Sequence, residues 1–401
     1  MRYAPVILVS SIFGLAVSFA PIFNMAVFLK PLVQEFGWTR TQVAAGGATA
    51  TLALAVSAPY IGRIIDIIGP RRLIIGSSAA FACSIALLAT LPAYYPVFLL
   101  LAALVGVTGA GTTPLAYLAL VARWFDGRLG LAMGIAMVGV GVGLAASPLI
   151  GSALLAEFGL RGTFLGMAAI AALAIPNAIF ILRDRAGVEP KPVATVKAMR
   201  PATYGFATII RVPTFWFLAL SVFMMTVVAA GCGVHMIALL TDRGYQAHEA
   251  AAVASTIGLA LLAGRLLSGF LLDYVPIGWL GAATFLLGAA GVALLGSTMG
   301  GFVPILAACL IGFAQGAEGD LMAYAVRRCF GLDAYGLTYG MVFAAFNFGA
   351  FAGPVIMGLS FDHLGSYGPG LSLFTALALG AAFLVFLVRP PRQSELSYSP
   401  A

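Results

Sequence analysis

Charged side chains are what this sequence has least of. Asp, Glu, Lys and Arg make up 9% of its 401 residues, against 62% hydrophobic residues and a mean hydropathy of +1.05. No soluble domain of that length carries so little charge on its surface, so a water-soluble globular protein is excluded. Cysteine is also scarce. Cys83, Cys232, Cys309 and Cys329 stand in or beside apolar runs with no paired spacing, which excludes a disulfide framework and a cysteine metal site and leaves them as packing residues. No nucleotide loop, metal-ligand cluster or nucleophile with its base occurs, which argues against an enzyme and implies no cofactor and no metal.

What is present is a succession of apolar runs, most of them longer than the roughly 20 residues a helix needs to cross a bilayer. Twelve are expected, at about 6–30, 43–62, 73–91, 95–121, 129–156, 163–182, 214–240, 250–272, 279–298, 302–326, 336–359 and 369–388. The first has only Arg2 ahead of it and no small-residue cleavage pattern behind it, so it reads as a retained helix. The fold class is therefore an all-α membrane protein.

The net charge of +7 sorts by side of the membrane rather than pointing to nucleic acid. If both termini are cytoplasmic, sixteen of the twenty-one basic residues fall in inside segments and four, Lys30, Arg40, Arg161 and Arg243, fall outside. That bias predicts cytoplasmic N and C termini; the expected location is the plasma (inner) membrane. The longest polar connection, 183–212, reads as a cytoplasmic linker between an N-terminal six-helix bundle, 1–182, and a C-terminal one, 213–389, followed by a tail, 390–401.

The two bundles echo each other. At an offset of 206, Gly106, Gly130, Gly134, Gly143, Pro148 and Gly159 fall on Gly312, Gly336, Gly340, Gly349, Pro354 and Gly365; at 207, Gly62 falls on Gly269 and Asp66 on Asp273. A near-constant offset that matches aspartate and proline as well as glycine marks a duplicated, pseudo-symmetric six-helix unit, an architecture that places a central site between two rocking bundles.

One residue breaks the apolar pattern most sharply. Arg265 lies inside the run from Gly258 to Asp273, with Gly258, Leu261, Ser268 and Gly269 as its helical neighbours. Arginine does not deprotonate, and a charge at a helix centre costs about 3 kcal/mol even on lenient insertion scales. Arg265 is therefore the candidate anion anchor. Glu318 and Asp320 lie at matching depth in the tenth span, but two residues apart on a helix is about 200°, so at most one of them shares a cavity with Arg265. Glu318, on the face of Gln315 and Met322, is the expected one; Asp320 leans toward Arg327 and Arg328. Desolvation and a neighbouring guanidinium act on a carboxyl in opposite directions, so such a group can take up a proton when an anion claims the arginine. Asn24, Tyr117 and Asn347 are further hydrogen-bonding groups at membrane depth. His235 reads as an interfacial histidine, and His248 and His363 as loop or helix-end residues.

The segment Gly62-Arg-Ile-Ile-Asp66-Ile-Ile-Gly69-Pro-Arg71-Arg72 resembles the loop signature of the major facilitator superfamily, with Ile67 and Pro70 as departures; Gly269-Phe-Leu-Leu-Asp273 keeps its glycine and aspartate. Phe36-Gly-Trp-Thr-Arg40, Arg123-Trp-Phe-Asp-Gly-Arg128, Gly353-Pro354 and Asp362-His-Leu-Gly365 are similar to the monocarboxylate porter and oxalate/formate antiporter branch. The resemblance implies the major facilitator fold of twelve transmembrane helices. It implies that an eighth-helix arginine, here Arg265, binds a substrate carboxylate, and that the first and fourth helices bring Asn24 and Tyr117 to the cavity. It also implies a conformational gate at Gly62, Asp66, Arg71, Arg72 and Asp273. The expected function is secondary transport of a small organic anion, a monocarboxylate foremost, by proton symport or anion exchange. Two alternatives stay open: a proton-driven exporter of a neutral or cationic solute, and a transporter-like ligand sensor.

Overall fold

A computed structural model describes residues 3–22, 25–125, 127–184, 205–297 and 300–389, and among them helices are the only regular elements. Hydrocarbon cannot hydrogen-bond a peptide group, so a crossing chain must satisfy its backbone within each segment. The membrane-length helices, labelled in chain order, are α1 (Ala4–Ile22), α2 (Arg40–Ile68), α3 (Pro70–Leu88), α4 (Tyr95–Trp124), α5 (129–158), α6 (160–180), α7 (Pro213–Asp242), α8 (Ala247–Leu271), α9 (Ile277–Gly296), α10 (Val303–Phe330), α11 (Tyr335–Leu364) and α12 (Gly368–Phe386). α5 and α6 follow one another directly and part at Gly159, whose φ of 65° and ψ of −173° only glycine adopts without strain. That interruption divides the eleven continuous apolar stretches into twelve crossings.

The expected first span, 6–30, is divided differently. α1 ends at Ile22 and a separate helix, Met25–Phe36, follows. The motif Phe36-Gly-Trp-Thr then proves to be a connector. Gly37 takes a φ of 69°, Trp38 is buried and stacked on Phe36 at 4.7 Å, and Thr39 caps α2 through a reciprocal bond pair with Gln42. Of the expected linker 183–212, residues 185–204 lie outside the described set, as does the tail from 390.

The chain divides into two compact units: Met1–Asp126 with Ile135–Val188 and Tyr335–Ala344, and Gly127–Gly134 with Glu189–Ala334 and Ala345–Ala401. Within each, helices meet at glycines set against carbonyl oxygens. In the first unit a Cβ at Gly106 would strike the carbonyl of Ala50, and Cβ atoms at Gly139 and Gly143 of α5 would strike those of Ile12 and Ala16 in α1. In the second unit Gly349 and Gly353 of α11 stand in the same way over Phe223 and Val227 of α7. Lipid tails are as apolar as leucine, so only close packing of this kind holds such helices together.

The α8–α10 pair follows one register. Gly312 rests on the carbonyl of Ile257 and Gly316 on that of Leu261, both pairs 55 residues apart and each a step of four along its helix. The next rung is Asp320 beside Arg265. Since the ladder sets the register, overfilling it is expected to be costly. Gly316→Val should destabilise the protein by about 1–3 kcal/mol, whereas Gly258→Val, which adds its atoms to open space, should not. Thermal unfolding of the two variants in detergent checks this.

Candidate functional site

The second unit holds the buried charges. Arg265 Nη1 lies 3.9 Å from Asp320 Oδ1, with side-chain exposures of 11% and 0%. That is ion-pair distance but beyond hydrogen-bond reach. Nε and Nη1 of the guanidinium are buried without a hydrogen-bond partner among the described residues, and Ser268 is the polar side chain set against Asp320. Such a pair keeps Coulomb attraction while leaving guanidinium donors unused.

Asp320, not Glu318, is therefore the carboxyl beside Arg265, and it does not turn to Arg327 and Arg328; Arg328 lies over the Tyr324 ring at 5.0 Å. The ladder explains this: Asp320 continues the face of Gly312 and Gly316 toward α8, and Glu318, about 200° away, looks elsewhere. Glu318 is fully buried and bonded to α7, where the Thr226 hydroxyl lies 2.6 Å from Oε1. The glycine spacing on α10 carried this signal in the sequence; Thr226, an ordinary threonine in an apolar run, carried none.

Gly134, at the start of α5, closes the other side. A Cβ there would come within 2.9 Å of the Arg265 main-chain oxygen and 3.3 Å of Asp320 Oδ2. Two turns along the same crossing, Asp273 accepts hydrogen bonds from the N–H groups of Gly130 and Leu131, at 3.0 and 3.2 Å. These are free donors of a helix's first turn, where a carboxylate also meets the positive end of the helix dipole.

The first unit repeats the arrangement. Asp66 accepts from the N–H groups of Gly336 and Leu337 at the start of α11, both at 2.8 Å, and Gly62 and Gly336 are packed backbone to backbone. The basic residues acting on Asp66 are Arg123 and Arg63. Arg71, expected in this gate, instead donates from Nε and Nη2 to the carbonyls of Ala178 and Ile179 at the end of α6, at 3.1 and 2.7 Å, and Arg72 is exposed. A guanidinium one residue past a helix start reaches the nearest unsatisfied carbonyls more readily than an aspartate in the preceding turn.

Tyr117 belongs to the first unit, fully buried against Gly14 and beside Ser18. Asn347 is half-buried on α11, and Asn24 lies outside the described residues. His235 Nε2 is 3.1 Å from the Pro354 carbonyl, which ties α7 to α11.

The sequence profile described as Major Facilitator Superfamily matches residues 11–331. An uncharacterized MFS-type transporter of Escherichia coli (strain K12), YhjX, is 27% identical over 338 residues, which cover 82% of this chain and 81% of that protein. Monocarboxylate transporter 13 of Rattus norvegicus is 24% identical over 393 residues, 95% of this chain and 88% of the relative. Among solved structures, the proton:xylose symporter XylE bound to 6-bromo-6-deoxy-D-glucose aligns with a TM-score of 0.78 at 15% identity, over 98% of this chain and 97% of that one, a likeness of fold alone.

The paired carboxylate caps generate a direct expectation. Asp273→Asn removes the charge from two hydrogen bonds worth about 1.5–3 kcal/mol each when charge-assisted, so the start of α5 should open more often. A cysteine placed at buried Leu129, with the four native cysteines replaced by serine, should then react with a maleimide roughly tenfold faster than in the Asp273 parent. An unchanged rate would mean that this cap does not hold the helix start.

Proposed function

The chain belongs to the Major Facilitator Superfamily and is an integral membrane transporter, and on that footing we propose that it carries small organic anions, monocarboxylates foremost, by proton symport or anion exchange with alternating access. The observation that carries the proposal is Arg265: a fixed positive charge in a membrane-length helix, two of whose guanidinium nitrogens are buried without a hydrogen-bond partner. A structural ion pair maximises its own bonds, and this one does not.

The energetics favour exchange of partners. At 3.9 Å and an effective dielectric near 20, the Coulomb attraction of Arg265 for Asp320 is about 4 kcal/mol. An entering carboxylate offers a comparable attraction and adds charge-assisted hydrogen bonds of about 1.5–3 kcal/mol each. It therefore wins the arginine, and Asp320 is left as a buried carboxylate whose isolation costs several kcal/mol. A proton taken up by Asp320 removes that cost, and one taken up by Glu318, which also feels the charge of Arg265, removes the corresponding cost there; either links anion binding to proton uptake. If a second anion completes the cycle instead of a proton, the same site performs exchange. The similarity to monocarboxylate transporter 13 supports the choice of substrate class.

In this reading Tyr117, Asn347 and Asn24 supply further hydrogen bonds to the substrate. Gly62 and Asp66 with the start of α11, and Asp273 with the start of α5, form the conformational gate; Arg71 and Arg72 contribute basic charge at the same membrane surface. The six-helix bundles 1–182 and 213–389 are the moving bodies, joined by 183–212, and the excess of basic residues in inside segments supports cytoplasmic termini; the membrane proposed is the plasma (inner) membrane.

A second reading is favoured by the existing Arg265–Asp320 pair: a proton-driven exporter of a neutral or cationic solute, in which the pair never separates and Glu318 meets the solute. Uptake of labelled lactate, pyruvate, formate and oxalate into proteoliposomes, with and without an imposed pH gradient, separates the two. Anion transport predicts uptake of at least one acid, with competition among acids. It also predicts that Arg265→Ala and Arg265→Lys each lower uptake at least tenfold below saturation, because lysine lacks the planar fork of arginine. Full uptake by Arg265→Lys would sink recognition through the guanidinium fork.

A further inference from the structure

Glu318 is held by one group. The Thr226 oxygen lies 2.6 Å from Glu318 Oε1 and 2.8 Å from the main-chain oxygen of Val222, one turn back on α7. Glu318 Oε2 is buried without a hydrogen-bond partner among the described residues. A hydroxyl has a single proton, and a carbonyl oxygen can only accept. Thr226 cannot donate to both neighbours at once, so the two short contacts are satisfied in one of two ways. With Glu318 ionised, the hydroxyl donates to Oε1. With Glu318 protonated, the carboxyl donates to the Thr226 oxygen and the hydroxyl turns to the Val222 carbonyl. Both arrangements use the same heavy-atom positions and differ by one proton and one rotation about a C–O bond.

We infer that Thr226 is a positioning residue for proton coupling, a hydroxyl rotor that keeps Glu318 hydrogen-bonded in both of its charge states and so lets the proton enter and leave without movement of the surrounding helices. This rests on the reading of Glu318 as a proton carrier. The rotor is fixed in place: Thr226 is buried, and its Cβ packs against Gly349 of α11, where any side chain would displace it. The groups around Glu318 define the competition. From α8 the field of Arg265 reaches it. On α10 itself Asp320 points away toward Arg265. α9, packed on α10, carries no titratable side chain. On α7, Cys232, His235 and Asp242 lie at least six residues beyond Thr226, and on α11 the titratable Tyr335, Tyr339, Asp362 and His363 all stand at least ten residues from Gly349.

Without the hydroxyl, an ionised Glu318 keeps no hydrogen bond, and the loss falls mainly on the charged form, whose bonds are the stronger. The test reads the proton directly and needs no knowledge of the cargo. The infrared band of protonated carboxyl groups is followed against pH for the purified full chain in lipid, and the part absent from Glu318→Gln is assigned to Glu318. In Thr226→Val, which keeps the shape of threonine, the midpoint of that band should rise by about one pH unit or more; Thr226→Ala should do the same, and Thr226→Ser should restore the parent value. A midpoint unmoved in both hydroxyl-free variants overturns the rotor while leaving Glu318 as the carrier. No titrating band lost in Glu318→Gln overturns the carrier reading and the rotor with it.

Discussion

Hydrocarbon neither donates nor accepts a hydrogen bond, and the rest of this structure follows from that. It forces the chain into helices, since only a helix satisfies its own peptide groups within one crossing. It removes the usual driving force for association, so helices adhere through close backbone contact at Gly106, Gly139, Gly143, Gly312, Gly316, Gly349 and Gly353. The same constraint makes every intramembrane charge conspicuous. Arg265, Glu318 and Asp320 are tolerated only because the packing supplies each with a neighbour, and in each case with fewer hydrogen bonds than it could make.

Positioning and chemistry are connected through register. Gly312 and Gly316 fix how α10 lies on α8, and that registration alone brings Asp320 to Arg265. Two turns beyond Arg265, just past the end of α8, Asp273 holds the first turn of α5, and a Cβ at Gly134 in the second turn of α5 would come up against Asp320 and the Arg265 main chain. The ion pair and the capped helix start thus share one neighbour, the first two turns of α5. Asp66 and α11 form the counterpart, with the same residue types at the same repeat positions.

The fold was largely legible in the sequence, because the signals that define it are local. Apolar runs gave the crossings, and the 206 and 207 offsets gave the repeat, which recurs in three dimensions as Gly143 over Ala16 and Gly349 over Phe223. What escaped were features decided by contact between helices. Glu318 and Asp320 are equivalent by depth and composition; only the glycine face of α10 distinguishes them, and its partner on α8 is not adjacent in sequence. Arg71 belongs to the loop signature yet serves the end of α6, more than a hundred residues away. Thr226 became noticeable only once Glu318 was seen against it. Phe36-Gly-Trp-Thr erred the other way, a recognisable motif whose work is to turn and cap the chain.

Gly134 meets position 265 only at its main-chain oxygen, and Gly340 meets position 58, its counterpart in the duplication, in the same manner, although one position is arginine and the other alanine. The joint is blind to the side chain it passes. Side chains as different as alanine and arginine can therefore occupy that position while the backbone contact with the glycine stays intact. The two copies of the repeat have parted company there without either losing its contact.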